Sequence, residues 1–457
     1  MNLRRRAPGP AVAPPLRRLV AAVALSAASA GAQPVIGTTP ERPAGSPGSP
    51  QGVSVLVIDS DFRCVRARLI SLDSQLGPTL ADDAGRTSRA DPAKLIAVIA
   101  VDPGADPALG VGGYVPAGRR SSLTSAQLAA LLRGRDTAVL SLTDGQRLIG
   151  KLAIGPDEGA EGGAEVLPWN SERFGPLSVP LDNVLSMVIE PSAGARLGAK
   201  SAAEDRLILN NGDVLRGLLV SIGSTVRIES EGAEQAVPLA RVAGLALANP
   251  TSAPAAPMLW LSDGTVACVT KIAPDKRELT LGVILAGAGG GPPSLEPVPV
   301  ALADVRAWSP VPQRITALSA IPVTSFSPLG GRVSADPPRV IVHADDLALP
   351  GTAALGVRDV RFAGAMEAEY ELPAGSSRFA CTAALEDDAG PWGECEVVLI
   401  SGGREAARVT LTDSEPAAAL RAVVGPGKFK VRIEPGRFGP VKNKVRLLRA
   451  MVVKSTP

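Results

Sequence analysis

Apolar and polar residues alternate through Leu140-Ser141-Leu142, the pattern of a strand with one face on a core, and the apolar run Leu207-Ile208-Leu209 takes the same place in a second copy. Each run stops at a short polar turn, TDGQ or NNGD, and a second apolar stretch follows it through Leu148 and Leu152 or through Val214 and Leu218. Asp-Gly and Asn-Gly pairs accept positive φ, so the pattern predicts a hairpin closed by a tight type I′ turn. A Val-Pro-Leu tail then opens a further strand, with proline where a missing amide donor is tolerated.

This phrase recurs four times. LSLTDGQRLIG (Leu140–Gly150) is followed by VPLDNVLSMVIEP (Val179–Pro191), and LILNNGDVLRG (Leu207–Gly217) by VPLARVAGLALANP (Val237–Pro250). LWLSDGTVACV (Leu259–Val269) precedes VALADVRAW (Val300–Trp308), and a degenerate copy joins VIDSDFRCV (Val57–Val65) to ADPAKLIAVIAVDP (Ala90–Pro103). The copies occupy residues 53–103, 137–191, 205–250 and 258–310. Repetition on this scale predicts tandem small β-repeat units of four or five short strands, either SH3/Sm-like barrels or curled sheets. A β-propeller uses repeats of similar length, but four blades are few and the spacers are unequal. Residues 104–136 form a linker holding one predicted helix, Ser122–Gly134, with Thr124 and Gln127 as a capping box and Gly134 as its stop. Residues 33–52, rich in Pro, Gly, Ser and Thr, read as a flexible linker.

From Arg314 the phrase stops. Met366, Ala368, Tyr370 and Leu372 alternate along one strand, and Ser376–Ile400 reads as a strand, an acidic turn region and another strand. Further strands in VTLTDSEP, KFKVRIEP and VRLLRAMVV predict a β-sandwich over 314–457. The whole chain is therefore expected to be all-β, and its 48 glycines and 42 prolines suit many short strands and turns.

Composition adds the compartment. Arg4, Arg5, Arg6, Arg17 and Arg18 precede the apolar run Leu19–Ala30, and Ala30-Gly31-Ala32 is a small-x-small cleavage site. Residues 1–32 read as a secretory signal peptide, with an uncleaved anchor as the alternative. Export to the periplasm or the cell surface follows. No cysteine precedes Cys64, so a lipoprotein anchor is not expected. The five arginines account for the excess of bases over acids, and the remainder, with acids slightly ahead, has no field for nucleic acid. The basic stretch Gly427–Arg449 reads as a solvated strand face, with a polyanion groove as the alternative. Cys64 and Cys268 fall in corresponding second strands, which points to a shared packing position. Cys381 and Cys395 flank a predicted hairpin and are placed either to form a disulfide or to lie buried as free thiols.

The last third resembles the NPCBM family, the novel putative carbohydrate-binding module. The resemblance is carried by Tyr370-x-Leu372, Phe379, Leu385-Glu386-Asp387-Asp388, Gly393 with Cys395–Ile400, Leu411–Pro416, and the terminal strand ending at Arg449-Ala450. It implies a galactose-binding-like jelly-roll fold and a glycan or envelope polysaccharide as partner. The family's Gly-x-His-x-x-Ser stretch is absent, its positions holding Arg361, Ala363 and Met366, and its final acidic-aromatic motif reads Lys442-Asn443-Lys444-Val445. Asp-Gly hairpin repeats before such a module are similar to exported bacterial repeat proteins.

Candidate chemistry is sparse. The single histidine, His343, has no nucleophile-elbow serine or cysteine beside it, and the four cysteines lack CxxC spacing. Gly287–Gly291 lacks the lysine and helix of a phosphate loop. No cofactor is expected. Glu386, Asp387 and Asp388 offer hard oxygen ligands for a structural Ca²⁺, the alternative being a solvated loop. Trp392, between the glycines of the acidic loop, and Tyr370 are the candidate ligand-binding residues, whereas Trp260 and Trp308 read as core. The expectation is a non-enzymatic glycan-binding protein. A scaffold for envelope proteins and an unrecognised hydrolase are the competing readings.

Overall fold

In the computed structural model the described residues are 52–60, 63–100, 137–153, 166–190, 204–254, 256–275, 280–285, 297–330, 336–341, 354–386, 392–440 and 443–455. Contacts divide the chain into Met1–Gly48 and Ser49–Pro457, and all that follows concerns the second unit. The signal segment, the predicted helix Ser122–Gly134, Gly287–Gly291 and His343 lie outside the described residues.

The first repeat holds β1 (Val53–Asp59), β2 (Cys64–Asp73), β3 (Gly77–Ala81), β4 (Thr87–Arg89) and β5 (Leu95–Ala100). The second holds β6 (Ala138–Leu142), β7 (Arg147–Leu152), β8 (Val166–Ser171), β9 (Gly175–Pro180) and β10 (Val184–Val188). The third holds β11 (Asp205–Leu209), β12 (Val214–Ile222), β13 (Thr225–Ser230), β14 (Ala233–Pro238) and β15 (Val242–Ala246). The fourth holds β16 (Met258–Leu261), β17 (Val266–Pro274), β18 (Thr280–Leu285), β19 (Val298–Ala301) and β20 (Val305–Ser309). In each, four strands meander antiparallel, one 3₁₀ turn follows, and the fifth strand returns to pair with the first. That is the SH3-like plan, and the Val-Pro-Leu tail encodes its 3₁₀ turn, Leu181–Asn183 or Leu239–Arg241.

The hairpin chemistry differs from the type I′ expectation. Gly145, Gly212 and Gly264 have positive φ, but the preceding Asp144, Asn211 and Asp263 do not. Gly145 N donates to Leu142 O, and Leu142 N to Gln146 O, so a type I turn ends in a glycine bulge. The aspartate or asparagine stays right-handed because its carbonyl or carboxylate oxygen accepts the amide two residues on, at 3.1, 3.1 and 2.8 Å. The type I′ turn occurs instead at Glu231-Gly232, where both residues have positive φ.

The repeats join edge to edge. β5 of the first pairs with β20 of the fourth through Val98↔Trp308, and β10 of the second with β15 of the third through Met187↔Leu245. Each of these residues is the fourth of its strand, so both pairings share one register and each has a local two-fold. Val266 of β17 pairs with Arg147 of β7, linking the fourth repeat to the second. The repeats are thereby ordered 1-4-2-3 across one continuous sheet system. Cys64 and Cys268 share a face but not a register position, because Cys64 pairs with Ile58 whereas Cys268 pairs with Met258.

The C-terminal strands are β21 (Ile315–Ala317), β22 (Val323–Pro328), β23 (Arg339–Val340), β24 (Val360–Phe362), β25 (Met366–Leu372), β26 (Ser376–Leu385), β27 (Cys395–Ser401), β28 (Arg404–Leu411), β29 (Ala417–Val423), β30 (Gly427–Pro435) and β31 (Val445–Lys454). One sheet runs β23-β24-β31-β26-β29, with β21 also on β31; the other runs β22-β25-β30-β27-β28. From β24 to β31 the chain changes sheets at every step except β27 to β28, which makes an eight-stranded jelly roll. Its core closes around Phe379 and Phe429, whose ring centroids are 5.0 Å apart. Outward-facing Ala380, Met451 and Val453 pack on Leu56, Ile58, Ile96, Ile99 and Trp260, so the sandwich is seated on the first and fourth repeats.

Candidate functional site

The loops β24–β25, β26–β27, β28–β29 and β30–β31 fall at one end of a jelly roll, and backbone bonds tie the last three together there. Leu385 N donates to Pro416 O at 2.8 Å and Glu386 N to Lys444 O at 3.1 Å. Gly436 N donates to Glu394 O at 3.0 Å. A Cβ on Gly436 would fall 2.5 Å from that oxygen, so only glycine allows the approach.

This contact sets Phe438 against Trp392. The rings meet edge to face, with centroids 5.3 Å apart and planes 79° apart. Arg437 lies over the Phe438 ring at 4.5 Å, and its Nε donates to the Glu394 carboxylate at 2.8 Å. Glu394 also accepts the Arg437 amide at 3.2 Å. Trp392 remains 55% exposed even though it is packed against a partner. Leaving an indole in water forgoes about 2 kcal/mol of burial. The result is a preorganised aromatic surface rimmed by one carboxylate and one guanidinium. Behind it Asn443 is buried, its Nδ2 donating to Gly439 O at 3.2 Å. Trp392 was legible in sequence. Phe438, Arg437 and Glu394 were not singled out, although an aromatic between Gly436 and Gly439-Pro440 marks a turn that displays its ring.

Tyr370 is not at this surface. It is 1% exposed, faces the core beside Phe429, and its hydroxyl has no hydrogen-bond partner among the described residues. Burial pushes its pKa up. The strand alternation that identified Tyr370 turns it inward with Met366 and Ala368, so it offers no face to a ligand.

Glu386 does not serve as a cation ligand. Arg361 donates to Oε2 at 2.7 Å and lies 2.6 Å from Oε1, while Arg446 Nε donates to Oε1 at 3.1 Å. Both oxygens are taken by guanidinium groups. Asp387 and Asp388 lie outside the described residues, among which no three His, Cys, Asp or Glu converge.

Cys381 and Cys395 are free and buried in the sandwich core. They lie on opposite sheets, because β26 and β27 are consecutive in sequence but not paired. Burial pushes the Cys395 thiol up to about 12, out of the reactive range. Trp169, Trp260 and Trp308 are all core residues.

The basic stretch is matched by acids across the strands. Lys430 and Arg432 each reach Glu367 at 2.7 Å, and Arg408 bridges Glu396, Glu405 and Glu434. Burial opposes ionisation of Glu367, but the hydrogen bonds from Lys430 and Arg432 outweigh it and hold its carboxyl below the usual range. The outer face of this sheet is a ladder of paired charges.

No family description and no characterised protein sequence matches the chain. Among solved structures it is similar to the CBM51-2 and INT domains of Clostridium perfringens ZmpB in complex with GlcNAc, at 12% identity over 40% of each chain and a TM-score of 0.25. It is also similar to the CBM51 of Clostridium perfringens GH95 in complex with methyl-galactose, at 10% identity over 30% of this chain and 99% of that one, with a TM-score of 0.24. CsCBM6-3 of Clostridium stercorarium, in complex with cellobiose, shares 11% identity over 31% of this chain and 93% of that one, with a TM-score of 0.19. The chain thus spans under half of the first structure. At these scores the sugars in those complexes remain properties of those proteins.

Proposed function

We propose that this is an exported, non-enzymatic protein that takes a glycan or envelope polysaccharide on the loop end of its C-terminal sandwich, as an NPCBM-like module. One observation carries the reading: Trp392 stands exposed while Phe438 fixes its orientation. Sugar C–H faces pack on a fixed indole, and the Glu394–Arg437 pair supplies an acceptor and a donor for ring hydroxyls. A fixed ring loses little side-chain freedom on binding. Glycoside hydrolysis needs two free carboxylates across the bond. Among the described residues at this end, Glu394 and Glu386 are both engaged by arginines. Export is part of the proposal, and a mature chain beginning at Gln33 is its expected product.

The test is a glycan array with the full chain, followed by titration of the best ligand. Trp392→Ala is expected to weaken that ligand by about tenfold or more, and Phe438→Ala by less. Binding unmoved by both substitutions would sink the assignment of this site. An array blank for every glycan would sink the function.

A further inference from the structure

The repeats use two kinds of edge. The last strands pair repeat 1 with 4 and repeat 2 with 3, and the start of the second strand pairs repeat 4 with 2. In that last junction Val266 faces Arg147, and each is the first residue of its own second strand. Equivalent residues therefore meet across a local two-fold, so this edge pairs with a copy of itself. Repeat 3 presents the same edge at Val214, the first residue of β12. Among the described residues β12 pairs only with β11 and β13, and β13 engages it from Leu218 onward. Among the described residues no strand lies on the outer edge of Val214–Arg216.

Val214 on this edge is 42% exposed, and Leu218 and Val220, farther along β12 where it pairs with β13, are exposed at 64% and 43%. The corresponding Val266 in repeat 4 is buried. An isologous contact sets like residues opposite one another, so an unmatched charge at the axis would repel. The one charged side chain on this stripe, Arg216, is matched by Glu204 at 3.2 Å. The equivalent edge of repeat 1 is less open, because the sandwich brings Arg421 close to Cys64.

We propose that β12 pairs with β12 of a second copy of this chain, repeating the repeat 4–repeat 2 junction between molecules and forming a two-fold dimer. The order of repeats then runs 1-4-2-3·3-2-4-1 through one continuous sheet. A second jelly roll is carried along with it, so the dimer presents two loop ends to a multivalent ligand.

Analytical ultracentrifugation of the full chain over a range of concentrations tests this. Dimers that dissociate on dilution are expected, and Leu218→Lys combined with Val220→Lys is expected to raise the dimer dissociation constant at least about tenfold with an unchanged circular dichroism spectrum. Val214→Cys is expected to form a covalent dimer on oxidation, whereas Ser224→Cys, exposed in the turn beyond the other end of β12, is not. A natural chain that stays monomeric at every concentration overturns the proposal. So does a Val214→Cys variant that links to Cys64 of another molecule, since that would make the contact head-to-tail.

Discussion

The string Arg-Phe-Gly-Pro occurs twice, at Arg173–Pro176 in the second repeat and at Arg437–Pro440 in the sandwich, and the two copies do opposite things. Both glycines take φ of 71°, so the local turn is alike. In the repeat, Phe174 is buried in the shared core, and Arg173 reaches Asp263 at 3.1 Å and Asp304 at 2.8 Å in repeat 4. In the sandwich, Phe438 stays partly exposed and braces Trp392, while Arg437 lies over its ring. One turn fastens two units together and the other holds an aromatic surface open. What differs is whether a second unit stands opposite the turn. The repeats spend their turns on one another, whereas the loop end of the jelly roll faces away from the sheet that is seated on the repeats.

This contrast can be pressed experimentally. The largest effect is expected in the two cores: Trp308→Ala and Phe379→Ala each remove a fully buried ring and should cost about 3–5 kcal/mol by urea denaturation. Trp308 sits at the register centre of the repeat 1–repeat 4 pairing with its ring in the core shared by the repeats, so its loss should also raise hydrogen exchange in repeat 1. If hydrogen exchange rises only inside repeat 4, the repeats are less coupled than the shared sheet implies. Gly217→Ala comes next. Its Cβ would fall 1.9 Å from Glu229 O at the corner where β12 turns onto β13, and a loss of about 1–3 kcal/mol is expected. A change in melting temperature no larger than at an exposed position would refute this account of the corner. The smallest effect belongs to Tyr370→Phe. Deleting a buried hydroxyl that has no partner should leave stability within about 1 kcal/mol of the natural chain, on the stabilising side, with glycan binding unchanged. A marked loss of glycan binding would return Tyr370 to the site.

Much of the fold was legible because it is periodic. Apolar runs, a glycine after aspartate or asparagine, and a closing apolar tail mark three repeats before any contact is considered, and the tail of the degenerate first copy marks the fourth. The 3₁₀ turn inside Val-Pro-Leu was hidden, since three residues carry no period. The turn type was misread because Asp-Gly suits both a type I′ turn and a glycine bulge. The side chain of Asp144, which accepts the Gln146 amide, decides between them. At the candidate site the acidic loop pointed to Trp392, but its partner is 46 residues away by sequence number and meets it only through the β30–β31 loop. Alternation with Met366, Ala368 and Leu372, against Glu367, Glu369 and Glu371, put Tyr370 on the apolar face of its strand, which is the face the structure buries. Glu386 looked like a cation ligand until Arg361 and Arg446, from two other strands, were found on its oxygens.

By itself, then, the sequence determined the strands and their grouping into repeats and a sandwich, because these depend on local patterning and on which residue types are present. Tertiary structure decided the order 1-4-2-3, the seating of the sandwich, the pairing of Trp392 with Phe438 and the burial of Tyr370. Each of these depends on edges and faces that meet across long stretches of chain, where sequence spacing carries no information about distance.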